Sequence, residues 1–178
     1  MKALKIAGIV LLALVLVLGI AIAFQPSHAH IEKNIVINAP ASAIFPHVSN
    51  FRNFNKWSPW DKMDPEVKHT YEGGDATVGA RMNWDGPKTG SGSQWTEEIE
   101  ENKRIKNGMS FGDYGGKYYS EFILEPQGDA TRVTWTYDGP NEGVGGKAMW
   151  IVMGMMLNSQ YEQGLNDLKQ VVESSPTP

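Results

Sequence analysis

Four histidines, His28, His30, His47 and His69, are the side chains best suited to proton transfer or metal ligation near neutral pH. His28 and His30 form an HxH pair in a segment that offers no third ligand. No HExxH or comparable spacing occurs, so neither a metal nor a cofactor is expected. His47 falls near the end of a short helical segment, where a protonated ring would complement the helix dipole. Glu97, Glu98, Glu100 and Glu101 could supply paired carboxylates. In a strand, however, Glu98 and Glu100 point one way and Glu97 and Glu101 the other, which describes a solvated edge. No serine has His and Asp partners at a recognisable spacing, and Cys is absent, which removes thiolate chemistry. Cyclase or aldol chemistry would need an inward acid or base, with Arg81, Glu121, Arg132, Tyr119 and Tyr137 as candidates. Their facing is not readable from the sequence. Arg81 or Arg132 could anchor a carboxylate headgroup or pair with nearby acids at the surface.

Apolar groups give a second kind of candidate. Met149, Met153, Met155 and Met156, with Trp150, crowd one helical segment. Thioethers are flexible and polarizable, so they suit either a cavity for a fatty or isoprenoid chain or ordinary core filling. At helical spacing Met153 and Met156 face inward, while Trp150 and Met155 fall toward the opposite side. That excess would serve as a cavity lip or as a surface dipping into a bilayer. Trp57 and Trp60 flank Ser58-Pro59 and read either as a ligand-stacking pair or as a plug over the core. Gly139–Gly146, GPNEGVGG, precedes the Met-rich segment. It lacks the GxxxxGK[ST] pattern, which leaves a mobile gate or a flexible connector.

The elements that must position these residues follow from periodicity. Ile31, Lys33, Ile35 and Ile37 alternate as a half-buried strand. Pro40 opens a short helix carrying Ile44, Phe45 and Val48, limited by Pro46, and residues 51–56 add a further turn. Residues 57–65 read as a loop. Short strands are expected over 66–72, 80–85, 90–100, 104–111, 117–125 and 131–137, separated by Gly-rich turns, as in an antiparallel meander. Residues 147–173 carry a helical stripe: Met149, Met153, Met156, Leu157, Tyr161, Gly164, Leu165, Leu168 and Val172. An α+β architecture results, a curved sheet covered by one long helix, with space expected between the two layers.

Ahead of this domain, Ile6 to Phe24 contains no polar side chain. A helix over it would span about 28 Å, close to the thickness of a bilayer's hydrocarbon core. Lys2 and Lys5 precede it and no further Lys or Arg follows until Lys33, so the N-terminus is expected in the cytoplasm and the domain outside. The competing reading is a signal peptide cleaved near Ala21-Ile22-Ala23 or Ser27-His28-Ala29, releasing a secreted or periplasmic protein. The expected organisation is anchor 1–24, linker 25–30, domain 31–173 and polar tail 174–178. Sixteen Lys and Arg against 20 Asp and Glu give a net charge of −4. That balance argues against a nucleic-acid binder.

Several fragments in order resemble the START-like (SRPBCC) superfamily, in its bacterial polyketide cyclase/dehydrase-type group. They are Ile37-Asn38-Ala39-Pro40-Ala41 with Ile44-Phe45, Trp57-Ser58-Pro59-Trp60, Tyr71-Glu72-Gly73, Val78-Gly79-Ala80 before Trp84, Thr131-Arg132-Val133-Thr134-Trp135, and Gly164-Leu165-Asn166-Asp167-Leu168-Lys169. The resemblance implies a helix-grip fold, a curved antiparallel sheet wrapped around a long C-terminal helix. It also implies a cavity between them, for which Trp57, Trp60, Trp84, Trp135, Met149, Met153, Met156, Leu157 and Tyr161 are the wall candidates. This superfold hosts many activities. A membrane-tethered domain binding a hydrophobic small molecule or lipid is the expected function. The alternatives are a cyclase- or dehydrase-like enzyme on an apolar substrate and an envelope interaction domain with a filled core.

Overall fold

The computed structural model describes residues 2–112 and 114–174. An apolar helix, α1 (Lys2–Ala23), comes first, and none of its residues is buried. Then follow β1 (His28–Ile37), α2 (Ala41–Ser49), α3 (Phe51–Phe54) and α4 (Pro59–Met63). Six strands come next: β2 (Lys68–Glu72), β3 (Arg81–Gly86), β4 (Gly90–Glu100), β5 (Arg104–Phe111), β6 (Tyr114–Gln127) and β7 (Ala130–Pro140). The chain closes with α5 (Gly143–Ser174), and the remainder of the expected polar tail lies outside the described residues. All seven strands form one antiparallel sheet in the order β1-β7-β6-β5-β4-β3-β2.

Most elements match the periodicity, and the departures have local causes. The first strand starts at His28 rather than Ile31, because His28, Ala29 and His30 pair with Pro140, Gly139 and Asp138. By contrast, α2 runs through Pro46 to Ser49 and carries Val48, as expected. Asn50 caps α3, its Oδ1 accepting from the backbone N–H of Arg52 (2.8 Å) and Asn53 (3.3 Å). A one-turn helix, α4, occupies part of the expected loop, with Pro59 in its first turn, where a missing donor costs nothing. The Gly-rich stretch is absorbed too: α5 begins at Gly143, four residues before the expected start.

Two anchors fix the end of the domain that matters for function. The C-terminal half of α5 buries Tyr161, Gly164, Leu165, Leu168 and Val172 against the sheet. Gly164 is required there, since a Cβ would lie 2.7 Å from Cζ3 of Trp135 and 3.2 Å from Cδ of Pro59. The second anchor is Asp64, fully buried after α4. Its Oδ2 accepts from the backbone N–H of Lys88 and Thr89, both at 2.9 Å, and from Thr89 Oγ1 at 3.0 Å. Burial pushes this carboxyl up, but these hydrogen bonds outweigh it and hold Asp64 below the usual carboxylate range. The β3–β4 turn is thereby tied to α4.

Candidate functional site

Side-chain alternation brings two cross-strand ladders to the inner face of the sheet. In one, His69 lies opposite Trp84, Trp84 opposite Gly92, and Gly92 opposite Phe111. A Cβ at Gly92 would overlap the Trp84 indole, so glycine lets that ring lie flat on the strand. In the other, Met82 faces Gln94, Gln94 faces Met109, and Met109 faces Tyr118. These ladders floor a cavity of about 1030 Å³. Its roof is the first half of α5, with Met149, Trp150, Met153, Met156 and Leu157. Phe54, Trp60 and Asp61 make one end, and Pro140, Asn141 and Glu142 reach it at the other. A volume of this size matches sites for drug-sized ligands.

The cavity exists because α5 packs unevenly. Below its C-terminal half, the rings of Phe54, Trp57, Trp60, Phe122, Trp135 and Tyr161 fill the space between the layers. Trp135 stacks on Tyr161 at 4.0 Å and on Phe122 at 4.8 Å. Below the N-terminal half an aromatic stack bridges to the sheet, with Trp150 on Tyr137 at 5.8 Å and Tyr137 on Tyr118 at 6.1 Å. Burial, with Tyr118 and Asp138 nearby, raises the Tyr137 hydroxyl above its ordinary value. Burial does the same to Tyr161. Both phenols stay neutral.

Seven of the nine expected wall residues line this space: Trp60, Trp84, Met149, Met153, Met156, Leu157 and Tyr161. Trp57 and Trp135 do not. Trp57 is 1% exposed and donates from Nε1 to the His47 carbonyl at 3.1 Å, and Trp135 donates from Nε1 to Ser120 Oγ at 2.8 Å. Each indole is a core plug with its one donor satisfied. Trp150, assigned by helical spacing to the side of Met155, turns instead into the cavity and stacks on Tyr137.

Among the acid–base candidates, only Tyr137 reaches the cavity. Arg81 lies over the Trp95 ring at 4.7 Å and donates to Ser93, on the outer face. Tyr119 packs there against Lys106 and Lys117, and Glu121 pairs with Arg104 at 2.7 Å. Arg132 stands in register with Val36 and Glu125 and does not line the cavity. Residues 97–100 extend past the β3 pairing, which ends at Trp95, so the glutamate run lies on a locally unpaired side of β4 with Glu98 and Glu100 exposed. A bulge between Thr96 and Glu98 breaks the alternation, so Glu97 reaches Lys117 (2.8 Å) while Glu98 pairs with Arg104 and Lys106.

The histidines also fall differently from their expected places. His28 Nε2 and His30 Nδ1 lie 2.9 and 2.8 Å from Asp138 Oδ1, across the β1–β7 pair. His47 is half-buried, and burial with Lys56 nearby lowers its pKa, so it favours the neutral ring over a charged helix cap. Among the described residues, no three His, Asp or Glu groups are placed to hold a metal ion.

His69 is the histidine for which the sequence suggested no partner. Its Nε2 lies 3.6 Å from Asp61 Oδ1, and both residues line the cavity. Burial raises the Asp61 carboxyl above its ordinary value, partly offset by His69 and by the Ser58 hydroxyl. Asn55 stands in the same wall, with Nδ2 donating to the Tyr71 hydroxyl at 2.9 Å and Oδ1 buried without a partner among the described residues. Thus a carboxylic acid, an imidazole and an amide meet at one end of a mainly apolar cavity. The signal available in sequence was thin. Asp61 lies one residue past Trp60 in the expected loop, and His69 lies on the face of β2 that the alternation turns inward.

No curated protein matches the chain in sequence. Solved structures do. Norcoclaurine synthase from Thalictrum flavum, in complex with dopamine and hydroxybenzaldehyde, aligns with TM-score 0.63 at 14% identity, covering 89% of this chain and 94% of that one. The Aha1 dimer from Colwellia psychrerythraea gives 0.60 at 19%, covering 84% and 99%. A protein from Nitrosospira multiformis gives 0.60 at 22%, covering 82% and 97%. At such identities the likeness shows the fold. A family model described as "Polyketide cyclase / dehydrase and lipid transport" matches residues 28–173, from the first residue of β1 to the last turn of α5. The chain belongs to that family, within the START-like (SRPBCC) superfamily.

Proposed function

We propose that this domain binds a hydrophobic small molecule or lipid in the cavity beneath the first half of α5, and that α1 tethers it to a membrane. The carrying observation is a space of about 1030 Å³ walled by methionine and aromatic side chains. Affinity would come from apolar burial, at roughly 25 cal/mol per Å². The tether rests on α1, which is long and apolar enough to cross a bilayer and buries nothing in the fold. Lys2 and Lys5 favour a cytoplasmic N-terminus, with the domain on the far side. Cleavage of the segment would export the same domain untethered.

Because the core closes without α1, residues 25–178 are the unit to test. Mass spectrometry of their organic extract, after purification without detergent, should reveal a retained apolar compound in stoichiometric amount. Repeated extracts containing none, together with failure to take up fatty acids or isoprenoids, would defeat the binding reading.

A second reading is favoured by one observation, the Asp61–His69 pair in the cavity wall. Oriented by Asp61, His69 would remove a proton from a hydroxyl, or from carbon next to a carbonyl, of an apolar substrate. If so, wild-type protein and a His69→Ala variant would retain different molecules, product in one and substrate in the other. Identical extracts would leave binding as the whole activity.

A further inference from the structure

The first half of α5 carries an apolar surface that the fold does not use. Val144, Val152 and Met155 are 75%, 65% and 66% exposed. At helical spacing they share one stripe with Ala148, turned away from the stripe of Met149, Met153 and Met156 that roofs the cavity. No charged side chain occurs between Lys147 and Glu162. Scattered apolar residues on a surface need no explanation, but a contiguous patch marks an interaction site.

The chain's own path indicates what covers it. After α1 ends at Ala23, Pro26 and Ser27 are held by Asn141, just ahead of α5. Asn141 Nδ2 donates to the Pro26 carbonyl at 2.8 Å, and its backbone N–H donates to the Ser27 carbonyl at 2.9 Å. Asn141 is itself buried and also lines the cavity. Contacts between α1 and α5 put the two helices at the same corner. The apolar span, the apolar stripe and one end of the cavity therefore meet in one place.

The geometry points to the exposed stripe of α5 as a membrane-docking surface, seated in the lipid leaflet from which α1 emerges. Apolar ligand then passes between the leaflet and the cavity without crossing water. This rests on the tether reading above. The stripe carries no acid and the chain is net negative, so burial rather than charge drives the docking, and added salt should not release it.

The absence of cysteine makes single-cysteine reporters clean. Full-length protein carrying Leu16→Cys, Val144→Cys, Val152→Cys or Glu125→Cys would be labelled with the polarity-sensitive dye NBD and reconstituted in phosphatidylcholine vesicles. Leu16 reports on α1, and Glu125 is an exposed control on β6. The expected result is a blue shift and quenching by spin-labelled lipid at 16, 144 and 152, unchanged by salt, with neither effect at 125. Quenching at 16 with water-like emission at 144 and 152 would overturn docking and leave the tether standing. No quenching at 16 would overturn both. A blue shift at 144 and 152 without lipid quenching, fading as lipid is added in excess, would mean that a second copy covers the stripe, and docking would again be wrong.

Discussion

Replacing Met153 by lysine tests whether the roof of the cavity touches a guest. Met153 lines the cavity and is 38% exposed, so a lysine there can be tolerated by the fold. An unpartnered ammonium inside a protein costs several kcal/mol, but its four-carbon stem would carry much of the charge out through the open side. About 2 kcal/mol is expected to remain against an apolar guest, roughly a 30-fold rise in Kd. For scale, an apolar guest losing about 300 Å² to the walls gains ~7.5 kcal/mol before association costs. Equilibrium titration of residues 25–178 with Nile red, a neutral apolar dye, supplies the assay. Met153→Leu should bind like wild type, as should Gln170→Lys, an exposed α5 position away from the cavity. Unchanged affinity in Met153→Lys would refute the placement of ligand under α5.

Three further outcomes follow from the packing and the carboxylates. Gly164→Ala should destabilise the domain by about 1–2 kcal/mol in urea unfolding, because the clash with Trp135 and Pro59 exceeds the ~1 kcal/mol gained in helix propensity; a stabilised variant would contradict the close packing. Asp64→Ala should lower Tm, by releasing Lys88 and Thr89. Since the folded Asp64 carboxyl lies below its unfolded value, its contribution is present above the ordinary carboxylate range and fades as pH falls through the lowered value. The Tm gap between wild type and variant should therefore shrink in acid. Asp61 has the opposite sign. With its folded value raised, ionising it costs stability as pH rises, so Asp61→Asn should raise Tm at neutral pH and leave it unchanged in acid.

The sheet, the long helix and the placement of Met153, Met156 and Leu157 were legible because each rests on a regular period. What escaped depends on the third dimension. Trp57 and Trp135 carry the same composition signal as Trp60 and Trp84, and only the depth of packing separates plug from wall. Trp150 was misplaced because an ideal angular stripe ignores its stacking on Tyr137. Within the glutamate run only the facing of Glu97 was misread, because a bulge after Thr96 resets the alternation. Asp61 and His69 are eight positions apart, on α4 and β2, and meet only through the tertiary fold. No local pattern announces such a meeting.

The unequal packing of α5 separates what keeps this protein folded from what it can hold. Its clamp, from Tyr161 to Val172, shares the aromatic core, and errors there are felt everywhere. Met149, Met153 and Met156 are half open and contribute little to folding, so their replacement is thermodynamically cheap. Selection can exchange one greasy guest for another by editing three or four roof side chains, while the scaffold beneath is left untouched.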